Sequence, residues 1–165
     1  LTPLTLLVPQ QVAGLLTGGN LLTDTIAQLG AANGATLPVI LPTQVVVSSA
    51  PPQIGDMDLQ LTYPRVCVYT TGLKNTHVEK FRSLSGTITL IADIWASGNL
   101  LTQVDQWSHY YVSAVTGILC QNIGDWGNGV FFDGTYDLQF HSPAVGGLGF
   151  VQNARITCSL HVSQG

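Results

Sequence analysis

Apolar and polar positions alternate without a break over "ARITCSLHV" (154–162). Ala154, Ile156, Cys158, Leu160 and Val162 point one way, and Arg155, Thr157, Ser159 and His161 the other. A period of two over that length predicts a strand with one buried face. The same test marks "RVCVYTT" (65–71), which sets Val66, Val68 and Thr70 against Cys67, Tyr69 and Thr71. It also marks "GTITLIADIWA" (86–96), with Ile88, Leu90, Ala92 and Ile94 opposite Thr87, Thr89, Ile91, Asp93 and Trp95. The segment between these two, "GLKNTHVEKFRSLS", is too long for a tight turn and predicts a long loop or a protruding ribbon. "TYDLQFH" (135–141) adds a further strand, followed by a glycine turn at 146–149.

Two stretches change period. In "SGNLLTQVDQWSHYYVSAVTGILCQN", Leu100, Leu101, Val104, Trp107, Tyr111, Val115, Ile118 and Leu119 recur at steps of three and four. That predicts an amphipathic helix over about 99–122, with Asn99 as its N-cap. Its opposite face, Gln103, Gln106, His109, Ser113 and Thr116, is polar but hardly charged, so this face is expected to be covered or to line a narrow interior. Near the N-terminus, Leu21, Leu22, Ile26 and Leu29 predict a shorter helix, capped by Asn20 and stopped by Gly30, while Gly18 and Gly19 break any longer helix upstream. Residues 31–64 are punctuated by Pro38, Pro42, Pro51, Pro52 and Pro64 around short runs such as Val45-Val46-Val47. They predict an extended arm with short strands.

Strand, strand, helix, strand, strand with one-sided burial predicts an α+β fold. The expected form is a mainly antiparallel sheet, with the long helix (about 99–122) and the shorter N-terminal helix packed on one face. Residues 1–64 form the N-terminal helix and Pro-rich arm and 65–165 the α+β core, the two belonging to one structural domain.

Composition adds a constraint that periodicity does not. The chain has 165 residues and is 45% hydrophobic, enough for one sizeable core. Only 8% of residues are charged, against about 25% in an average soluble protein. Interfaces are depleted in Lys, Glu and Asp, so low charge predicts an outside covered by other chains. The alternative is a monomer with a surface rich in Thr, Ser, Gln and Asn. No apolar window reaches the ~20 residues needed to span a bilayer; "LPVILPTQVVV" (37–47) is short and broken by Pro38 and Pro42. The first cation is Arg65, so no secretory signal is expected. Cys67, Cys120 and Cys158 lack zinc-site spacing and predict buried reduced thiols in a cytoplasm.

The candidates for chemistry are few. "NIGDWGNGVFFDGTY" (122–136) is glycine-rich, but a phosphate cradle needs a strand, then the loop with its Lys, then a helix. Here the helix comes first and no Lys or Arg lies between 83 and 154. The loop reads as a connector: Gly124 a helix stop, Asn128-Gly129 a hairpin turn, and Trp126 a ring laid over the core or a neighbouring subunit. Asp125, Asp133 and Asp137 lack the spacing of a calcium loop and read as turn aspartates. His77, His109, His141 and His161 fall in separate elements, and no nucleophile motif accompanies them. No enzyme activity, cofactor or metal is expected. One constellation stands out: Arg65, Lys74, Lys80 and Arg82 fall within 65–82 beside a single acid, Glu79, while the rest of the chain has one cation and eight acids. That segregation predicts a basic loop that docks on an acidic partner or meets a phosphate backbone; a solvated hairpin is the alternative.

The order of elements in "PRVCVYTTGLKNTHVEKFRSLSGTITLIADIWASG", the amphipathic helix, "GDWGNGVFFDGTYDLQF" and "ARITCSLHV" resembles the tail-terminator or neck (head–tail joining) proteins of long-tailed bacteriophages. The resemblance covers about residues 60–165. It implies a homo-oligomeric ring, commonly a homohexamer, that caps the head-proximal end of the tail tube and presents a surface to the head connector. The tail tube and head connector proteins would be its partners, and genomic DNA would pass through the lumen without sequence-specific binding. The protein would be a virion component assembled in the host cytoplasm. On this reading Arg65, Lys74, Lys80, Arg82 and Trp126 contribute to partner interfaces. The alternatives are another virion subunit (tube, stopper or connector), a carbohydrate-binding module using Trp126 and Tyr136, or a hydrolase using its histidines and aspartates.

Overall fold

A computed structural model describes residues 2–49 and 62–165, so the expectations placed on Pro51 and Pro52 lie outside the described residues. The elements run α1 (Leu4–Thr17), α2 (Leu21–Ala32), β1 (Val45–Val46), β2 (Arg65–Asn75), β3 (Leu84–Gly98), α3 (Leu101–Gln121), β4 (Gly124–Gly127), β5 (Val130–Phe132), β6 (Tyr136–Phe140), β7 (Ala144–Gly146) and β8 (Gly149–Gln164). The fold is mixed α+β with a mainly antiparallel sheet.

The spine of the sheet is β8, a strand of 16 residues that begins at Gly149, ahead of the alternating stretch from 154. On one side it pairs with β3 along its whole length, from Phe150↔Gly98 to Gln164↔Leu84. On the other side β7, β6 and β5 take successive stretches of it. Beyond β3 lie β2, antiparallel, and β1, which joins parallel at Val45↔Val66 and Val46↔Cys67. The sheet thus reads β1-β2-β3-β8-β5-β4, with β6 and β7 beside β5 along the same edge of β8.

Period two decides which face is buried. Ala154, Ile156, Cys158, Leu160 and Val162 are all closed to solvent, as are Ile88, Leu90, Ala92 and Ile94 of β3. They share one core with Val8, Val12 and Leu16 of α1, Ile26 of α2, and Val104, Tyr111, Val115 and Leu119 of α3. Polar groups fix the helices to the connecting segment: the Tyr111 hydroxyl donates to the Pro38 carbonyl at 2.6 Å and the Trp107 indole to the Thr36 carbonyl at 3.1 Å.

Several expectations are corrected. The N-terminal region holds two helices where the periodicity predicts one, because α1 buries only the narrow stripe Val8, Pro9, Val12 and Leu16, with a proline inside the helix. The chain does break at Gly18-Gly19, with Gly19 at φ 62°. Asn20 precedes α2 in a left-handed conformation without a capping hydrogen bond, and Gly30 is buried inside α2 rather than ending it. α3 begins after Leu100, not Asn99, and its first two predicted core positions, Leu100 and Leu101, are exposed. The 72–85 segment is a short ribbon: β2 runs on to Asn75 beside the start of β3, which still pairs with β8 at Leu84, and residues 76–83 form the exposed tip that joins them. There Gly86 is dictated by close approach, since a Cβ on it would overlap the Lys74 carbonyl oxygen.

Candidate functional site

Besides the short outer edges of β1, β4 and β7, the sheet leaves two longer stretches of strand edge unpaired among the described residues. The first is β6. It pairs with β8 alone, from Tyr136↔Cys158 to Phe140↔Ala154. That register turns Tyr136, Leu138 and Phe140 toward the helix side of the sheet, yet all three are exposed. α3 covers this margin only in part. The His109 ring lies 4.3 Å from that of Phe140, and Asp105 accepts from the Gln152 amide at 3.1 Å. Val145, 87% exposed, faces the same way in β7, opposite Phe150. At the other end, exposed Ile123 stands where a Cβ on Gly134 would fall. The result is an apolar strip along an open strand edge. Beside it α3 presents exposed Gln103, Gln106, His109 and Ser113, with no cation. Thr116, expected on that face, is buried and its hydroxyl donates to the Val112 carbonyl at 2.8 Å.

The second open edge belongs to β2. β1 covers it only at Val66 and Cys67, so from Val68 onward its outer side has no partner strand among the described residues. A register shift between Thr70 and Gly72 accentuates the twist there. Residues 71–75 are exposed, Leu73 and Lys74 included. The ribbon tip beyond them carries Val78, Lys80 and Phe81, whose side chain is 99% exposed. Arg82 pairs with Glu79 at 3.4 Å, a solvated ion pair.

The predicted basic constellation therefore divides. Lys74, Lys80 and Arg82 do lie on one exposed ribbon. Arg65 does not belong with them: it is fully buried at the start of β2, its guanidinium 4.5 Å from the centre of the Tyr63 ring and 5.9 Å from that of Trp95. Burial of a cation needs such aromatic and polar company, and sequence spacing gives no sign of it.

The glycine-rich loop is a β-hairpin, β4 to β5. Asn128 (φ 56°) and Gly129 (φ 75°) occupy the left-handed positions that a tight hairpin turn requires. Gly124 opens β4 rather than stopping α3, which ends on Asn122. Trp126 turns into its own molecule: the ring packs 5.3 Å from Phe132 and its N–H donates to the Asn122 carbonyl at 2.6 Å. Gln11 of α1 donates to the Trp126 carbonyl at 3.0 Å, tying the hairpin to the N-terminal helix. Asp125 and Asp133 accept from the backbone two residues on, as turn aspartates do. The Thr135 hydroxyl and N–H hold the Asp133 carboxyl below its usual range, with His161 3.3 Å away.

Sequence reading does not reveal the polar cluster on the helix-free face. Asp93 of β3 and Arg155 of β8 are register partners, and Arg155 grips both carboxylate oxygens, at 2.8 and 3.1 Å. The Tyr69 hydroxyl donates to the same carboxylate at 2.7 Å. Partial burial and then this bond to Asp93 push Tyr69 up to about 12. The Asp93 side chain is closed to water while Arg155 reaches it, so the cluster is a clamp across three strands.

The histidines stay apart: His77 in the ribbon, His109 on α3, His141 against Asn153, His161 against Asp133. Among the described residues no three metal-binding side chains converge. Cys67 and Cys158 are buried, and burial drives the Cys158 thiol up to about 12, but Cys120 is exposed, against expectation, because it falls on the outer face of α3. Among the described residues no helix is long and apolar enough to cross a membrane. Searches of the chain against protein-family models and against curated proteins find no match.

Proposed function

We propose that this protein is a structural subunit of a phage neck, forming a ring at the head-proximal end of the tail that terminates the tube and joins it to the head connector. The observation that carries the assembly reading is the open β6 edge with its apolar strip. An exposed strand edge without Lys, Pro or a bulge is a template for another chain, and natural monomers guard against it. Here Tyr136, Leu138 and Phe140 line the edge, and the adjoining α3 surface carries no cation. The low overall charge supports the same reading, since a free subunit would keep its flanks soluble with Lys and Glu.

The place in the neck rests on the order of elements described above. A ring there must pass DNA, and a net charge of −4 suits a lumen that does not grip phosphates. The test is to add the purified protein to growing tail tubes and to follow tube length and head attachment. Tubes that stop growing and become competent for heads support the proposal. Filaments built by the protein alone identify a tube subunit instead, and no effect on either removes the neck from the account.

A further inference from the structure

The two open edges are complementary, and we propose that β6 of one copy pairs antiparallel with β2 of the next, so that the sheets of neighbouring copies become continuous. This rests on the ring reading and names the contact that would close it. Three features of the structure point to it. The edges lie on opposite sides of the sheet, β2 beyond β3 and β6 beyond β8. A contact between two different edges is head-to-tail, the kind that generates rings. The strand directions also agree. β2 and β6 run in opposite senses within one copy, because β2 opposes β3, β3 opposes β8 and β8 opposes β6. A neighbour turned about an axis along the strands therefore brings them together antiparallel.

The side chains match in one register. Leu73 and Leu138 both face the helix side, as their partners Ile88 and Ile156 do. Placing them opposite each other sets Lys74 opposite Asp137, and both of these face the other side, as Thr87 and Thr157 do. An apolar pair on one face and an opposite-charge pair on the other are what a strand pairing uses for stability and register. Past Asn75 the ribbon tip folds back over its own chain, where the Ser163 hydroxyl donates to Glu79 at 2.9 Å and the Ser83 hydroxyl to the Gln164 carbonyl at 3.1 Å, so Lys74 is the cation that this register brings to the neighbour. No Lys or Arg lies between 83 and 154, the span that supplies this receiving flank.

Leu73→Cys and Leu138→Cys, each in a Cys120→Ser background, give the direct test under mild oxidation. Within one copy β3 and β8 separate the two sites by roughly 14 Å, out of reach of a disulfide, so any bond joins two copies. Covalent dimers from mixing the two variants, absent from either alone, and a ladder from the doubly substituted chain that ends at the native particle mass, are expected. In a second arm, Lys74→Asp and Asp137→Lys each raise the concentration at which particles half-form, by about two- to fivefold, and together restore it. Wild-type rings with no cross-link and no effect of the charge changes overturn the edge pairing and leave the ring standing. A wild-type chain that never assembles overturns both.

Discussion

Gly86 and Asp93 sit seven positions apart on the same strand, and each answers to something that the strand pattern alone does not contain. Gly86 lies in the sheet between Asn75 of β2 and Val162 of β8, and its missing Cβ makes room for the Lys74 carbonyl oxygen. Gly86→Ala forces the two backbones apart and is expected to cost about 1–3 kcal/mol, read as a lower urea midpoint at unchanged slope. Asp93 reads from sequence as one more outward position of an alternating strand. Register places it opposite Arg155 and beside Tyr69. Asp93→Asn is expected to cost roughly 2 kcal/mol, less than the 3–5 of a fully buried pair because Arg155 reaches solvent. In that variant Tyr69 should ionise below about 12, followed by ultraviolet absorbance of the phenolate. Arg65 shows the same limit: four cations close in sequence look like one surface, and Arg65 and Lys74 do share a face of β2, yet Tyr63 and Trp95 cover the first while the second lies exposed.

Among the elements, those with a strong period were legible and those without were not. β8, β3 and α3 each carry five or more apolar residues in phase, and their centres lie where the periodicity places them. α1 was missed because its buried residues, Val8, Pro9, Val12 and Leu16, form one narrow stripe within a largely apolar run that offers little polar contrast. The candidate site was legible only in part. Charge segregation pointed to the ribbon, whereas the open edge of β6 depends on which strand lies beside which, and that is a property of topology. Alternation in "TYDLQFH" even suggested a half-buried strand, but α3 reaches only far enough to touch Phe140. A charge placed on that edge should act on assembly and not on folding. Leu138→Lys is expected to keep the far-ultraviolet dichroism and the urea midpoint within about 0.5 kcal/mol of the parent subunit, as for other exposed positions. The particle seen by light scattering should shrink toward the single chain. A large fall in stability would show instead that Leu138 belongs to the subunit's own core.

For the whole molecule, burial of ionisable groups sets the response to alkali. Burial raises the Cys158 thiol from 9.0 to about 12, raises the Tyr111 phenol, and with Asp93 raises Tyr69 from 10.0 to about 12. A raised value in the folded state means that between the ordinary and the raised value the folded chain keeps protons that the unfolded chain has lost. Stability is therefore complete below about pH 9 and falls as pH rises through that window. Cys158 alone should account for roughly 2 kcal/mol by about pH 10.5, seen as a lower urea midpoint than at about pH 8 and diminished in Cys158→Ala.

The same scale holds the central claim, that this weakly charged subunit exists to be joined to copies of itself. Native mass spectrometry of the purified chain over a range of concentrations, with imaging of the same sample, tests it most directly. A single closed ring of fixed copy number that forms as concentration rises is the expected result. A chain that stays a single copy at every concentration, alone and with tail tubes added, contradicts it.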